Sequence, residues 1–177
     1  MTAIVLRCLG AFEVTLDSQA VTAFPTDKIR ALLAYLALTE AQPHRRELLA
    51  ALFWPELPQA VAMTNVRVAL YRLRETLAKV QPDAGDALLL TTRQTLQLNT
   101  AHLSVDVHTF QKLLATCATH AHAHLVACDD CLARFAQAIA HYRGELLAGL
   151  GLADAPAFEE WLLLQRETLH QIGRAHV

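Results

Sequence analysis

Cysteine and histidine side chains are concentrated in the segment HAHAHLVACDDC, residues 120–131, and these are ligand types that Zn²⁺ prefers in proteins. Cys128 and Cys131 have the C-x2-C spacing of half a zinc knuckle, and they lie where a helix is predicted to begin. A helix N-terminus lowers the pKa of a thiol and so favours metal or redox chemistry. The pattern predicts a candidate zinc site, and its ligands would be His120, His124, Cys128 and Cys131.

Two other interpretations of this segment stay open. A single C-x2-C pair is a weak signal, and histidines spaced by two would diverge on a helix, so a polar interhelical connection with a core cysteine is favoured over zinc. A disulfide between Cys128 and Cys131 is disfavoured in a reducing compartment. Cys8 and Cys117 fall on inner positions of a predicted strand and helix, which indicates structural roles.

A second set of residues that could do chemistry lies on the helix predicted for QAVAMTNVRVALYRLRETL, residues 59–77. At about 100° per residue its apolar positions form one stripe. That stripe is Ala62, Val66, Leu70, Leu73 and Leu77. The opposite side carries Thr64, Arg67, Val68, Tyr71 and Arg72. In a DNA major groove Arg binds guanine and apolar groups contact the thymine methyl, although a solvated outer face is the common alternative.

Composition limits the class of protein. The 177 residues are 54% hydrophobic with a net charge of −2, which indicates a helix-rich globular chain and argues against indiscriminate coating of nucleic acid. On the candidate helix, however, the basic side chains outnumber the acidic ones, which suits a specific DNA contact. No apolar run could span a membrane, and residues 1–20 lack the features of a signal peptide, so we expect a cytoplasmic protein with no membrane partner.

Hydrophobic periodicity places the candidate helix inside a unit that spans residues 1–99. The predicted elements are strands at 3–8, 12–16 and 20–22, a helix capped by Thr26, helices at 44–54 and 59–77, and strands at 88–92 and 95–99. The expected inward positions of the first two helices are Ile29, Leu32, Leu33, Leu36, Leu48, Leu49, Leu52 and Phe53. The second and third helices form a helix-turn-helix, and the last hairpin takes the position of a wing.

Residues 104–177 are predicted to be wholly helical. One helix is capped by Asp106, a second covers 129–147, and a third is opened by Pro156. The expected inward positions of the second helix are Leu132, Phe135, Ala136, Ile139, Tyr142 and Leu146. An exposed apolar edge is expected at Trp161, Leu162 and Leu169. The fold class is therefore an α+β winged helix-turn-helix followed by an all-α, TPR-like domain, whose helical array we expect to continue beyond Val177.

Five segments carry a family resemblance. The first unit resembles the OmpR/PhoB-type winged-helix DNA-binding domain in PTDKIRALLAYLAL, RRELLAALFWPE and TNVRVALYRLRETL, the last with a Leu-Arg-x-x-Leu ending. Residues 104–172 resemble the bacterial transcriptional activator domain in VDVHTFQKLL and AHYRGELLAGLGLADAPAFEEWLLLQRETL. This domain order is similar to that of the antibiotic regulatory protein (SARP/AfsR-like) activators. The wing departs from the family because it lacks a Gly-rich turn, and we expect no phosphoreceiver domain before the winged helix.

The resemblance implies that the third helix enters the major groove and that the wing contacts the adjacent backbone or minor groove. The base-reading residues would be Thr64, Arg67, Val68 and Tyr71, with Arg72 near both bases and phosphates. The phosphate contacts would be Asn65 and Arg74 on the same helix, Arg93 on the wing, and Arg45 and Arg46 at the start of the second helix.

The sequence thus predicts a transcriptional activator that binds double-stranded DNA at promoter repeats as a homodimer and contacts RNA polymerase. The alternative is a helical protein-interaction adaptor whose winged helix does not bind DNA, which the near-neutral charge favours. An enzyme is not expected, because the chain has no Gly-rich phosphate loop, no G-x-S-x-G and no H-E-x-x-H. A zinc hydrolase at the His/Cys segment would lack a general base, and no other cofactor is expected.

Overall fold

The computed structural model describes residues 3–39, 42–120 and 128–174. The strands are β1 (Ile4–Arg7), β2 (Glu13–Leu16), β3 (Gln19–Ala20), β4 (His44–Arg45), β5 (Leu89–Thr91), β6 (Thr95–Leu98) and β7 (Leu103–Val105). The helices are α1 (Asp27–Leu38), α2 (Arg46–Phe53), α3 (Gln59–Ala78), α4 (Ala84–Leu88), α5 (Asp106–Thr119), α6 (Asp129–His141) and α7 (Pro156–Arg174). No helix within the described ranges is both long and apolar enough to cross a membrane.

The N-terminal sheet has the strand order β3-β2-β1-β7. The predicted first hairpin is confirmed, because β1 and β2 pair antiparallel along their whole length. Asp17 and Ser18 connect β2 to β3 with φ values of 45° and 71°, the left-handed geometry of a two-residue hairpin turn. β7 joins the other edge of β1 in parallel, and this strand was absent from the sequence-based expectation.

The three long helices of the first half form around their apolar stripes. Thr26 caps α1 as predicted, and its hydroxyl accepts the N–H of Ile29 at 3.4 Å. The expected inward positions of α1 and α3 are all buried. In α2 the expectation is wrong for Leu48, which is 65% exposed, because it lies about 140° round the helix from the buried Phe53.

A second sheet with the order β4-β6-β5 lies beside the helix-turn-helix. β5 and β6 form the predicted wing hairpin. Two features differ from the expectation. His44 and Arg45, predicted within the second helix, pair with β6 as a short strand, and α2 begins only at Arg46. The short helix α4 forms where a break was expected, because five residues are too few to show a helical period.

The second helix of the C-terminal half is shorter than its predicted range, 129–147. The chain leaves α6 early and turns back toward the end of β1. There the N–H of Gly10 donates to the carbonyl of Glu145 at 3.0 Å, and the N–H of Leu147 donates to the carbonyl of Cys8 at 2.7 Å. These backbone hydrogen bonds replace the last helical turn, and a contact so distant in sequence has no local signal.

The expected inward side of α6 is also wrong in part. Ile139 is 71% exposed, and other expected inward residues, Leu132, Ala136 and Tyr142, are exposed as well. The residues that α6 buries are Cys131 and Ala138. This helix therefore contributes little apolar side-chain burial to the fold.

The two halves of the chain share one hydrophobic core. The ring of Phe53 on α2 packs against Phe158 on α7 with centroids 5.3 Å apart. Tyr35 on α1 meets Trp161 edge to face with centroids 4.8 Å apart. Aromatic pairs in this range add stability beyond the area they bury. The helical half therefore packs directly against the helix-turn-helix.

The expectation of an exposed apolar edge on α7 is wrong, because α7 packs into the core that the two halves share. Leu162 and Leu169 are buried, and Trp161 is partly buried against the shared core. The large exposed apolar side chains of α7 are instead Leu163 and Leu164.

A buried carboxylate joins the two halves at the start of α5. Asp106 is the first residue of α5, and its side chain accepts the N–H groups of Cys8 at 2.8 Å, Leu9 at 2.9 Å and Val107 at 2.8 Å. Burial raises the pKa of the Cys8 thiol, and the nearby charge of Asp106 raises it further. Cys8 is therefore an uncharged core residue, which agrees with the structural role expected for it.

Candidate nucleic-acid interface

The helix α3 has one buried and one exposed side, as its sequence predicts. All five residues of the apolar stripe are buried. The predicted base-reading residues are all on the exposed side, where Thr64, Arg67, Val68, Tyr71 and Arg72 face solvent. Tyr71 is 62% exposed and Val68 is 40% exposed. The exposed side is thus physically available to a partner.

Two hydroxyls on this side already have acceptors. Thr64 donates to the carbonyl of Ala60 at 2.9 Å, so its methyl group and its oxygen lone pairs remain available. Tyr71 donates to a carboxylate oxygen of Glu75 at 2.8 Å. This hydrogen bond, together with the charge of Glu75, raises the pKa of Tyr71. The phenol is therefore held in a fixed direction as a neutral group.

Arg46 brings another guanidinium close to this side of α3. Its backbone N–H donates to the carbonyl of Gln94 at 2.9 Å, which joins the start of α2 to the wing. Burial lowers the pKa of Arg46, and the positive charges of Arg67 and Arg74 lower it further. Its Nε is buried without a hydrogen-bond partner among the described residues. Arg46 therefore lies close enough to Arg67 and Arg74 for their charges to act on it, and we call these three residues the guanidinium cluster. An anionic oxygen beside them would be stabilising.

Arg74 has a bracing role within this cluster. Its Nε donates to Asp86 at 2.9 Å and its Nη2 donates to the hydroxyl of Thr91 at 3.2 Å, so it links α3 to α4 and β5. Gly85 makes this approach possible, because a Cβ added there would lie 2.9 Å from the Cα of Arg74. The side chain of Arg74 remains 30% exposed. Its phosphate contact stays a prediction.

The wing carries the other basic residues expected at the interface. Arg93 is exposed in the turn between β5 and β6. The hydroxyl of Thr92 accepts the N–H groups of Gln94 at 3.2 Å and Thr95 at 2.9 Å, which fixes the conformation of that turn. Arg45 is exposed on β4, which pairs with β6 of the same sheet. The wing sheet therefore holds both arginines on a defined backbone.

A shallow groove of about 200 Å³ runs between α3 and the start of α1. Asn65, Val68 and Arg72 line it on the side of α3, and Lys28 and Trp54 line it on the other side. The expected phosphate contact of Asn65 and the mixed role of Arg72 fit positions at this margin, and they stay predictions.

The predicted metal ligands meet at the junction of α5 and α6. Nδ1 of His120 lies 3.2 Å from Sγ of Cys131 and 3.4 Å from Sγ of Cys128, and the three atoms lie within 4.8 Å of one another. His124 lies outside the described residues. Burial raises the pKa of the Cys131 thiol to about 11, and hydrogen bonding with Cys128 and Cys117 adds to the rise. The cysteines are free thiols in this structure.

Sequence reasoning missed two acidic partners and one thiol. The i,i+4 spacing of Tyr71 and Glu75 on one helix could have indicated their contact. Asp86 had no such signal, because it comes from the unexpected helix α4. Cys117, interpreted as a core residue alone, lies beside Cys131, and its thiol donates to the carbonyl of that residue at 3.8 Å.

The helix-turn-helix formed by α2 and α3, followed by the antiparallel hairpin of β5 and β6, gives the first half a winged-helix architecture. The whole described fold is similar to the structure of Mycobacterium tuberculosis EmbR in complex with a low-affinity phosphopeptide, with a TM-score of 0.72 at 19% sequence identity. The match covers 99% of this chain and 45% of that one. The winged helix followed by helices is thus confirmed in outline at the level of the fold. No protein-family model matches the sequence, and no curated protein matches it.

Proposed function

We propose that this protein is a sequence-specific DNA-binding transcriptional regulator of the SARP/AfsR-like kind. The observation that carries the proposal is the guanidinium cluster of Arg46, Arg67 and Arg74 beside the exposed side of α3. Burial lowers the pKa of Arg46, the charges of Arg67 and Arg74 lower it further, and its Nε lacks a partner within the described residues. A DNA phosphate beside the cluster would offset the repulsion between the like charges, because it is anionic and accepts hydrogen bonds from exposed guanidinium nitrogens.

The division of labour on DNA follows from the exposure of each residue. Arg67 and Arg72 have freely exposed guanidiniums that can bind the edge of guanine in the major groove. Val68 and the methyl of Thr64 can contact a thymine methyl, and the phenol of Tyr71 supplies an aromatic contact. These residues would read bases, and they do so from a helix whose opposite side is anchored in the core.

Phosphate contacts would fix the orientation of α3 in the groove. Arg45 and Arg46 stand at the start of α2, where the positive end of the helix dipole favours an anion. Arg93 would contact the backbone or minor groove on the side of the wing. Asn65 and Arg74 would add contacts along α3. Such contacts supply affinity that falls with salt and carry little sequence information.

Regulation would depend on the protein surface that the helical half offers to RNA polymerase. We propose that the protein acts as an activator, binds promoter repeats as a homodimer in the cytoplasm and offers a protein surface to RNA polymerase. Because α7 packs closely on α1 and α2, a partner of the helical half would be held at a fixed position relative to the DNA. The proposed role is binding without catalysis.

The test is selection of duplexes from a random pool by the full chain at low salt, followed by fluorescence anisotropy on the enriched sequence. We expect one enriched sequence whose affinity falls as salt rises. Binding without any enriched sequence would contradict base reading, and no binding at any salt would contradict the DNA-binding function.

A helical protein-interaction adaptor is the second candidate. The net charge of −2 favours it, and so do the acidic partners Glu75 and Asp86, which already engage Tyr71 and Arg74. In that case the exposed side of α3 would bind a protein. The duplex selection described above distinguishes the two functions, because an adaptor would show no salt-sensitive binding to duplex DNA.

A further inference from the structure

The junction of α5 and α6 collects four side chains of the types that bind Zn²⁺. Cys117 and His120 come from the last turn of α5 and its C-cap, and Cys128 and Cys131 come from the N-cap and first turn of α6. Within each pair the residues are three apart, one inside the helix and the other at its cap residue, where the backbone is extended. In sequence they read C-x2-H-x7-C-x2-C, with two closely spaced ligand pairs as in structural zinc sites.

The distances fit a tetrahedral ion. With zinc about 2.3 Å from sulfur and about 2.1 Å from nitrogen, a ligand sulfur and nitrogen lie about 3.6 Å apart and two sulfurs about 3.8 Å apart. The observed separations of His120 Nδ1 from Cys131 Sγ and Cys128 Sγ, 3.2 and 3.4 Å, are only slightly shorter. Small side-chain rotations would therefore bring all three atoms to coordination distance.

Cys117 completes the set. It is buried beside Cys131, and its thiol donates to the backbone carbonyl of that residue at 3.8 Å. Three cysteines and one histidine form one of the usual closed ligand sets of structural zinc. The Cys117 sulfur is not among the three ligand atoms that lie within 4.8 Å of one another, so its side chain would turn toward them to supply the fourth ligand in place of His124.

Such an ion would help to hold α6 in place. α6 buries Cys131 and Ala138 and packs Phe135 partly against the core, while its apolar residues Leu132 and Ile139 are exposed, so the apolar burial of this helix is limited. The N-terminus of α6 has no side-chain cap, and its positive half-dipole favours the net negative charge of three thiolates around one Zn²⁺. A metal ion bound here would fix the start of α6 to the end of α5.

We propose that Cys117, His120, Cys128 and Cys131 bind one Zn²⁺ that links the end of α5 to the start of α6. Binding forms three Zn–S bonds and one Zn–N bond, and the cysteine thiols release their protons to solvent. The ion has a structural role, because all four positions are filled by protein and none is left for a substrate. None of these four residues belongs to the proposed DNA-binding surface, and zinc binding is measured without DNA.

The first experiment is metal analysis of the full chain purified without added zinc, then stripped with a chelator and titrated with Zn²⁺ or Co²⁺. We expect about one zinc per chain. Co²⁺ should give the visible bands of a tetrahedral thiolate complex, and Zn²⁺ should displace it. Less than about 0.2 zinc per chain both before stripping and after titration would overturn the proposal.

The second experiment identifies the ligands and compares four variants. Cys128→Ser and Cys117→Ser should each lose the cobalt thiolate bands or shift them as one sulfur is replaced. His124→Ala should keep full zinc stoichiometry, as should the matched control His170→Ala, an exposed histidine on α7. Far-UV circular dichroism of each variant separates loss of metal from loss of folding. Unchanged cobalt spectra in a folded Cys117→Ser protein, or loss of zinc in His124→Ala, would overturn the assigned ligand set.

Discussion

Nζ of Lys28 lies 2.7 Å from Oδ2 of Asp154, and this ion pair connects α1 with the segment that precedes α7. The same ammonium donates to the carbonyl of Phe53 at 2.8 Å and lies over the ring of Trp54, 5.3 Å from its centroid. Lys28 therefore lies where the helix-turn-helix meets the helical half. Its positive charge is already neutralised by Asp154 of the helical half.

The first prediction concerns this pair. Asp154→Asn should lower the free energy of unfolding at neutral pH by less than about 1 kcal/mol, because the Asp154 side chain is largely exposed. The hydrogen bond from Lys28 lowers the pKa of Asp154 below its ordinary value of 3.8. A depressed carboxyl pKa contributes stability above the ordinary value and loses it as pH falls through the lowered pKa.

Urea unfolding at a series of pH values checks this. The difference between wild type and Asp154→Asn should be constant above about pH 5 and shrink below about pH 4. Asp83→Asn is the control, because that exposed side chain makes no capping hydrogen bond on α4. A wild-type advantage that persists at low pH would mean that the ion pair does not cause it.

The second prediction concerns base reading by Arg67. Arg67→Ala should weaken discrimination of the selected duplex from a single-base variant by about 1–3 kcal/mol, provided that Arg67 binds guanine with both nitrogens. Lys112→Ala on α5 removes the same charge from an exposed position in the helical half. Anisotropy titrations with both duplexes measure the effect. Equal losses in the two variants would indicate general electrostatics and no base contact.

A third prediction follows from the acidic partner of Tyr71. Glu75→Gln removes a negative charge from the exposed side of α3 and still leaves an oxygen that can accept the Tyr71 hydroxyl. DNA affinity should rise by about two- to five-fold at low salt, since exposed charge interactions are worth less than about 1 kcal/mol. The gain should disappear as salt is raised. A fall in affinity would mean that Glu75 itself contacts a base.

A fourth prediction tests the shared core. Phe158→Ala on α7 should lower the free energy of unfolding by about 3–5 kcal/mol, because the ring is fully buried against Phe53 of the other half. Leu163→Ala is the matched control on the same helix, at a residue that is 65% exposed, and should change stability by less than about 0.5 kcal/mol. Unfolding monitored separately in the two halves should show one transition. Two separate transitions would contradict a common core.

The sequence allowed the local features to be predicted, because each has a local cause. The cap at Thr26 and the division of α3 into a buried and an exposed side depend on residues within a few positions of each other. The exposed side of α3 could be proposed as a candidate DNA contact for that reason. Its acidic partners could be predicted only where, as for Glu75, they lie on the same helix.

Features that depend on distant segments could not be predicted. The early end of α6 depends on backbone hydrogen bonds of Glu145 and Leu147 with the end of β1. Cys117 has the period of a core residue, and only the packing of α5 against α6 brings it to Cys131. Helical periodicity reports which side of a helix is apolar, but it does not report how far the neighbouring element covers that side.

The parallel strand β7 has a consequence for shortened forms of the chain. β7 occupies the edge of β1, and Asp106 just after it accepts the N–H groups of Cys8 and Leu9. A polypeptide that ended at Asn99 would keep α3 and the hairpin of β5 and β6 but expose the hydrogen-bonding edge of β1. An uncovered apolar strand edge is a template for pairing between molecules, so such a fragment would tend to aggregate. The solubility of a fragment cut at this boundary thus depends on residues that lie outside the winged helix itself.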